Sequence, residues 1–317
     1  MEKIAFVFPG QASQYVGMGK EAKEHNEGAR SIFERADKSL GFQISKVCFE
    51  GPEEKLRLTT ITQPAILTAT VAIYKWVKAE LDLTPTFVAG HSLGEYAALV
   101  AADAITFEDA VKTVHCRGNY MEEAVPAGVG TMSAIIGMEK DTLNELCKQV
   151  TSEGYLVELA NQNSPGQIVI SGTIKGVALV GERATEAGAK RVIPLNVSGP
   201  FHSSLMKPAA ERLKQKLTEV PISKATIPLV ANTVASSIVE SKDIFKALVE
   251  QVASPVLWEE SVQYMINKGV KTFIEIGPGT VIAGLIRKID KTAVIHSVQD
   301  LESLDKLKAC IDIGVRK

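Results

Sequence analysis

The segment Phe87-Val88-Ala89-Gly90-His91-Ser92-Leu93-Gly94-Glu95, continued by the apolar run to Ala102, decides how this chain folds. Phe87 to Ala89 reads as a short buried strand, Gly90 to Gly94 as a tight turn, and Leu93 to Ala102 as a mostly apolar helix. In a strand–turn–helix of this kind the central serine is forced outward, and the flanking glycines let the backbone make the corner. The Ser92 hydroxyl then lies at a helix N-terminus, where free N–H groups favour developing negative charge. An N-cap serine uses the same residue types, so the reading of Ser92 as a nucleophile rests on the strand before it and the helix after it.

Outward from this turn, helix and strand alternate. Ile4 to Phe8 is an apolar run ended by Pro9-Gly10, a buried strand feeding a loop. Ala29, Ile32, Phe33, Ala36 and Leu40 recur at helical spacing and stop at Gly41. A helix over 63–81 carries Ile66, Thr70, Ile73, Val77 and Leu81 on one stripe, and Thr106 with Asp109 caps a helix over 107–124. From Gly128 the rhythm becomes strand (131–137), helix (139–150), strand (155–160), strand (167–172), helix (174–187), strand (190–196). This βαββαβ order is the ferredoxin-like signature. It predicts an inserted domain over 128–197, flanked by Pro126-Ala127-Gly128 and Ser198-Gly199-Pro200, that interrupts a large domain made of 1–127 and 198–317. Alternation then resumes: helix 204–218, strand 227–231, helices 241–252 and 255–268, strand 272–276, a helix to 289 after Gly277-Pro278-Gly279, strand 293–297 and a terminal helix. The expectation is an α/β fold with a parallel sheet and helices on both faces. Ligands of such sheets sit beyond the carboxyl ends of the strands, so the turns after Phe8, Ala89 and Ile276 are the places to search.

Composition narrows the function. The 317 residues carry 35 Lys and Arg against 37 Asp and Glu, a net charge of −2, which gives no basic excess for nucleic acid. No run approaches the ~18 uncharged apolar residues of a membrane span, and the start of the chain is too short and wrongly flanked for a signal peptide. The reading is therefore cytoplasmic. Cys48, Cys116, Cys147 and Cys310 stand far apart without metal-ligand spacing, as expected of buried thiols in a reducing compartment. Near-neutral charge without coiled-coil heptads is compatible with a monomer.

A serine needs a base, and five histidines are present. His25 lies in a polar helical stretch, His115 is off the apolar stripe of its helix, and His91 is poorly placed to turn back on its neighbour. His202, after Gly199-Pro200-Phe201 at the exit of the inserted domain, and His296, ending a strand, remain; His202 is the preferred base. Arg117 falls on the apolar stripe Ala110, Val114, Arg117, Met121. A buried guanidinium keeps its charge and needs a partner, either an internal carboxylate or a carboxylate on the substrate held bidentate. The polar loop Pro9-Gly10-Gln11-Ala12-Ser13-Gln14 could supply a second oxyanion N–H, and Gly277-Pro278-Gly279 reads as a plain turn.

Together these residues resemble the malonyl-CoA:acyl carrier protein transacylases and the related polyketide acyltransferase domains. The matching motifs are Phe8-Pro9-Gly10-Gln11, Gly90 to Glu95, Arg117, Asn163-Ser164-Pro165-Gly166-Gln167, Gly199-Pro200-Phe201-His202-Ser203 and Ile274 to Gly279, in the family's order. The resemblance implies a hydrolase-like core, Ser92 as the acylated nucleophile, His202 as its base, and Gln11 and Leu93 as oxyanion N–H donors. It further implies that a backbone carbonyl at Gln251 orients the histidine and that Arg117 binds the malonyl carboxylate. Phe201 is similar to the malonyl-selective form of its motif. Where the family usually has Gly-Gln-Gly-Ser-Gln this chain has Ala12, which costs roughly 1–2 kcal/mol if that position needs positive φ. The implied reaction moves a malonyl group from malonyl-CoA to the thiol of acyl carrier protein in fatty acid biosynthesis. It needs no metal or redox cofactor, since coenzyme A enters only as the substrate's carrier. Lys190-Arg191, Lys207, Lys214 and Lys216 are candidate contacts for an acidic carrier. The competing readings are a serine hydrolase or thioesterase using Ser92 with His296, a polyketide-type acyltransferase, and a non-catalytic carrier-docking subunit.

Overall fold

The computed structural model describes residues 3–126 and 128–315. Ten strands form two sheets. The larger contains β1 (Lys3–Phe8), β2 (Phe87–Gly90), β7 (Leu229–Ala231), β8 (Ser236–Ile238), β9 (Val270–Ile276) and β10 (Val294–Val298), in the order β10-β9-β1-β2-β7-β8. Its pairs are parallel except β7 with β8, an antiparallel hairpin at one edge. The sheet is thus parallel as expected, with an edge strand that was too short to announce itself in the sequence.

β1 shows why the centre of this sheet reads as a continuous apolar run. Phe6 and Phe8 enter one hydrophobic cluster and Ala5 and Val7 another, because successive side chains leave a strand on opposite faces. The first face is covered by the 22-residue helix Thr59–Glu80, whose Tyr74 ring meets Phe8 edge-on. The second is covered by helices Trp258–Asn267 and Val281–Ile289 through Trp258, Val262, Met265, Ile282 and Ile286. Each such side chain taken fully out of water contributes about 1.5–3 kcal/mol.

Helix Thr59–Glu80 differs from its one-stripe reading, being buried on nearly every side from Thr59 to Tyr74. Pro64 lies inside it and lacks the N–H that would reach the carbonyl of Thr60. His115 fills that gap, its Nδ1 donating to Thr60 O at 3.0 Å. His115 therefore completes a backbone ladder.

The smaller sheet comprises β3 (Gly130–Ile136), β4 (Val157–Ser164), β5 (Gln167–Thr173) and β6 (Arg191–Pro194), ordered β4-β5-β3-β6 and antiparallel throughout. Helices Lys140–Ser152 and Ile174–Glu186 pack on it around a separate core of Ile135, Leu143, Val150, Ile170, Val177 and Val180. The two sheets are tied by backbone bonds across Val256: Gln162 N–H donates to Val256 O at 2.9 Å, and Val256 N–H to Ala160 O at 2.8 Å.

Several sequence readings shift. Strand 155–160 runs instead over Val157–Ser164, strand 190–196 is only Arg191–Pro194, and helix 204–218 begins with a 3-10 turn at Ser204–Met206. Ser198-Gly199-Pro200 is no slack linker: Ser198 Oγ donates to Glu122 and contacts Thr59 Oγ1, and Pro200 and Phe201 are buried. Ala127, in the flanking segment on the other side of the insert, lies outside the described residues. The cysteines are all free, but only Cys48 and Cys147 are buried; Cys116 is half-buried, and Cys310 is exposed on the terminal helix. Among the described residues no group of side chains could hold a metal ion, and no helix is long and apolar enough to cross a membrane.

Candidate active site

The turn after β2 is built by close approach. A Cβ on Gly90 would fall 1.9 Å from the Gly94 carbonyl carbon, and one on Gly94 would fall 2.4 Å from the Phe8 carbonyl oxygen. Neither position has room for a side chain, so the elbow can wind tightly against the end of β1. Ser92 at its tip has φ +53°, a left-handed conformation that only a well-braced turn holds.

The brace is Asn232, which follows β7. Its Oδ1 accepts from Ser92 N–H at 2.8 Å and its Nδ2 donates to Gly90 O at 2.8 Å, so one amide clamps both ends of the turn. Glu95, fully buried in the helix Gly94–Ala101, accepts from the Asn232 backbone N–H and from Gln251 Nε2. Burial pushes its carboxyl up to about 8, against the pull of these donors and of the Arg117 charge.

His202 comes to the serine from the exit of the smaller sheet. Ser92 Oγ and His202 Nε2 are 2.8 Å apart, and His202 Nδ1 lies 2.8 Å from the backbone carbonyl of Gln251. A carbonyl only accepts, so Nδ1 carries the proton and Nε2 presents its lone pair to the serine. The backbone carbonyl does here what a carboxylate does in a Ser-His-Asp site. Burial, reinforced by the Arg117 charge, pushes the imidazole down to about 3, so it is neutral at physiological pH. His91 instead donates Nε2–H to Asn163 Oδ1 at 2.8 Å, fastening the elbow to the smaller sheet. His25 is exposed and stacks on Trp76. His296 lies on β10, at the edge of the sheet with β9 and β1 between it and β2, and takes no part in the site.

Arg117 projects from helix Phe107–Glu123 and is 1% exposed. Its Nη1 donates to Gln63 Oε1 at 2.6 Å; its Nη2 donates to Gln251 Oε1 at 3.0 Å and to Ser92 Oγ at 3.1 Å. Its Nε–H is buried without a partner. None of the ion pairs among the described residues involves Arg117; the buried carboxyl of Glu95 acts on it through space but makes no ion pair with it. Leaving a buried cation unpaired costs several kcal/mol, and a fixed positive charge beside Ser92 is what that cost maintains.

Ser92, Leu93, Gln11, Arg117, Phe201 and His202 line one cavity of about 350 Å³. The N–H groups of Gln11 and Leu93 donate to no acceptor among the described residues, which leaves both free for an oxyanion. Ala12 has φ +80°, the left-handed value at which alanine is strained; Ala12 N–H donating to Gln14 Oε1 and Ser13 Oγ donating to Gly10 O hold the loop there. Ala12→Gly is therefore expected to raise stability by up to about 1 kcal/mol, net of glycine's greater freedom in the unfolded chain. Denaturant unfolding checks this; a destabilised variant contradicts it.

Three residues of this site escape sequence reasoning: Gln63, Glu95 and Asn232. Gln63 opens the stripe Ile66, Thr70, Ile73, Val77, and Glu95 is the one charge in Gly-Glu-Tyr-Ala-Ala-Leu-Val-Ala. A charge on an apolar helix was a usable signal for Glu95, and an amide at the head of an apolar stripe a weaker one for Gln63. Asn232 had none, because its role depends on a partner 140 positions away. The basic candidates are scattered: Lys216 is taken by Glu219, while Lys190 precedes β6 and Arg191 opens it.

A parallel α/β sheet that presents a serine on such an elbow, with a neutral imidazole on its hydroxyl, defines the class of serine acyl-transferring enzymes. Comparison with known proteins agrees: the model of the acyl transferase domain family matches residues 5–307. The malonyl CoA-acyl carrier protein transacylase of Bacillus subtilis (strain 168) is 53% identical over 305 residues, 96% of each chain. The crystal structure of the Clostridium perfringens malonyl CoA-acyl carrier protein transacylase superposes with a TM-score of 0.94 at 41% identity, covering 99% of this chain and 98% of that one. A malonyl-transacylase solved in complex with its type II polyketide acyl-carrier protein has a TM-score of 0.93 at 40% identity, over 96% and 98% of the two chains. The chain belongs to the malonyl CoA-acyl carrier protein transacylase family.

Proposed function

We propose that this chain transfers the malonyl group of malonyl-CoA to the phosphopantetheine thiol of acyl carrier protein, in fatty acid biosynthesis, through a malonyl ester of Ser92. The observation that carries the reading is a buried guanidinium without an ion-pair partner, 3.1 Å from the hydroxyl that a neutral histidine holds at 2.8 Å. In the first half, His202 Nε2 takes the Ser92 proton as Oγ attacks the thioester carbonyl, and the oxyanion is held by the Gln11 and Leu93 N–H groups. The C–S bond then breaks; the coenzyme A sulfur leaves with the proton from Nε2, and malonyl-Ser92 remains. In the second half the carrier thiol gives its proton to His202 and attacks the ester, and Ser92 leaves, taking that proton back. Arg117 binds the malonyl carboxylate throughout, which selects the acyl group and fixes its carbonyl at Oγ.

No metal or redox group takes part in this scheme, and coenzyme A is the leaving group. We read the larger domain (1–127 and 198–317) as hydrolase-like and the insert (128–197) as ferredoxin-like; the second reading is supported by its βαββαβ order and its β4-β5-β3-β6 sheet. A monomer in the cytoplasm, acting without nucleic acid or membrane, completes the proposal.

The test is the partition of the acyl group between acceptors. Malonyl loaded on Ser92 should pass to the carrier thiol at least about a hundredfold faster than to water, the scale on which a positioned thiol outruns solvent. Hydrolysis as the faster fate would make the enzyme a thioesterase.

A further inference from the structure

The partners of Arg117 have a property that its role alone does not require: every one is neutral. Gln63 Oε1 and Gln251 Oε1 are amide oxygens and Ser92 Oγ is a hydroxyl. Glu95, which acts on the guanidinium through space, has its oxygens engaged by Asn232 N–H and Gln251 Nε2, makes no ion pair with it, and is biased by burial toward its neutral acid form. An amide oxygen accepts from a guanidinium as a carboxylate oxygen does, but it leaves the charge uncompensated.

Gln63 is fixed in this role from its other end. Its Nε2 donates to the thioether of Met121 at 3.6 Å, one helical turn beyond Arg117 on the same helix. A thioether only accepts, so the amide cannot flip, and Oε1 must face the guanidinium. We infer that Gln63 is a specificity-determining residue: its neutral oxygen, 2.6 Å from Arg117 Nη1, holds the guanidinium while reserving its charge for acyl groups that end in a carboxylate. Glutamate has the same shape and differs in charge. At position 63 it would give Arg117 an internal anion and remove the advantage of a dicarboxylic acyl group over a simple one. The inference rests on the reading of Arg117 as the carboxylate's partner.

The experiment measures single-turnover loading of Ser92 by malonyl-CoA and by acetyl-CoA in the wild type, Gln63→Glu, Gln63→Met and Arg117→Ala. Gln63→Glu should lower the malonyl-to-acetyl ratio by at least about tenfold, and acylation of Ser92 by either thioester reports a folded site. Gln63→Met removes the acceptor without adding charge, so it should keep the ratio within about threefold of the wild type. An unchanged ratio in Gln63→Glu, with the ratio collapsed in Arg117→Ala, would overturn the inference and leave the Arg117 reading standing. A collapsed ratio in Gln63→Met would also overturn it, by showing that the hydrogen bond and not its neutrality matters. An unchanged ratio in Arg117→Ala would remove the reading on which the inference rests.

Discussion

Arg117→Ala is expected to lower kcat/KM for malonyl-CoA by about a thousandfold while leaving acetyl transfer unchanged or raising it. The guanidinium is almost wholly buried and keeps Nε–H free, so a carboxylate entering the cavity replaces its lost hydration with charge-assisted bonds. Truncating one partner of a buried, hydrogen-bonded charge pair costs about 2–5 kcal/mol, most of it the penalty of leaving the other charge unpaired. Here that other charge belongs to the substrate, so the penalty appears as lost binding and lost rate. An acetyl group has no such charge, and the space vacated by the side chain does not oppose it. Steady-state kinetics with both thioesters decides the matter: equal losses for the two would assign Arg117 to holding Ser92 and Gln251 in place rather than to the acyl group.

The second large effect is at His202. His202→Ala is expected to slow acylation of Ser92 by about 10³- to 10⁴-fold, the usual cost of removing the base of a serine nucleophile, whereas His296→Ala should act like the wild type. The pH dependence gives a sharper signature. With the imidazole held down to about 3, the proton-accepting form persists through mild acid, so kcat/KM should show no break near the ordinary histidine value of about 6.5. Stability follows with the opposite consequence. Below about pH 6.5 the unfolded chain binds a proton at this histidine and the folded chain does not until about 3, so the residue costs stability as pH falls through that window. His202→Ala should flatten that loss. A kcat/KM limb that titrates near 6.5 would contradict the burial argument.

How much of this was legible in the sequence depends on the range of each contact. The elbow was, because strand, turn and helix are local and glycine spacing records the close approach of Gly90 and Gly94. Arg117 was legible as a charge on an apolar stripe, and His202 by elimination and its place after Gly199-Pro200-Phe201. The role of Gln251 came only through resemblance, since a backbone carbonyl leaves no mark in side-chain chemistry. The order of strands was out of reach: β1 sits at the centre, paired with β2 and with β9, which lies more than 260 residues away. Helix Thr59–Glu80 misled in another way, because burial on nearly all sides erases the polar face that gives a helix its stripe. Short elements such as helix Glu53–Leu56 and strand β8 carry too few residues for any period. Ala12 is the instructive middle case: its strain was foreseen as a condition on φ, and the loop does hold it at +80°.

The most direct measurement is the intact mass of the protein, quenched in acid after mixing with malonyl-CoA in the absence of carrier. A malonyl ester of Ser92 predicts a gain of one malonyl group, borne by the peptide containing Ser92, lost on adding the carrier thiol and absent in Ser92→Ala. A chain whose mass is unchanged, or a Ser92→Ala variant that still acquires the group, would contradict it.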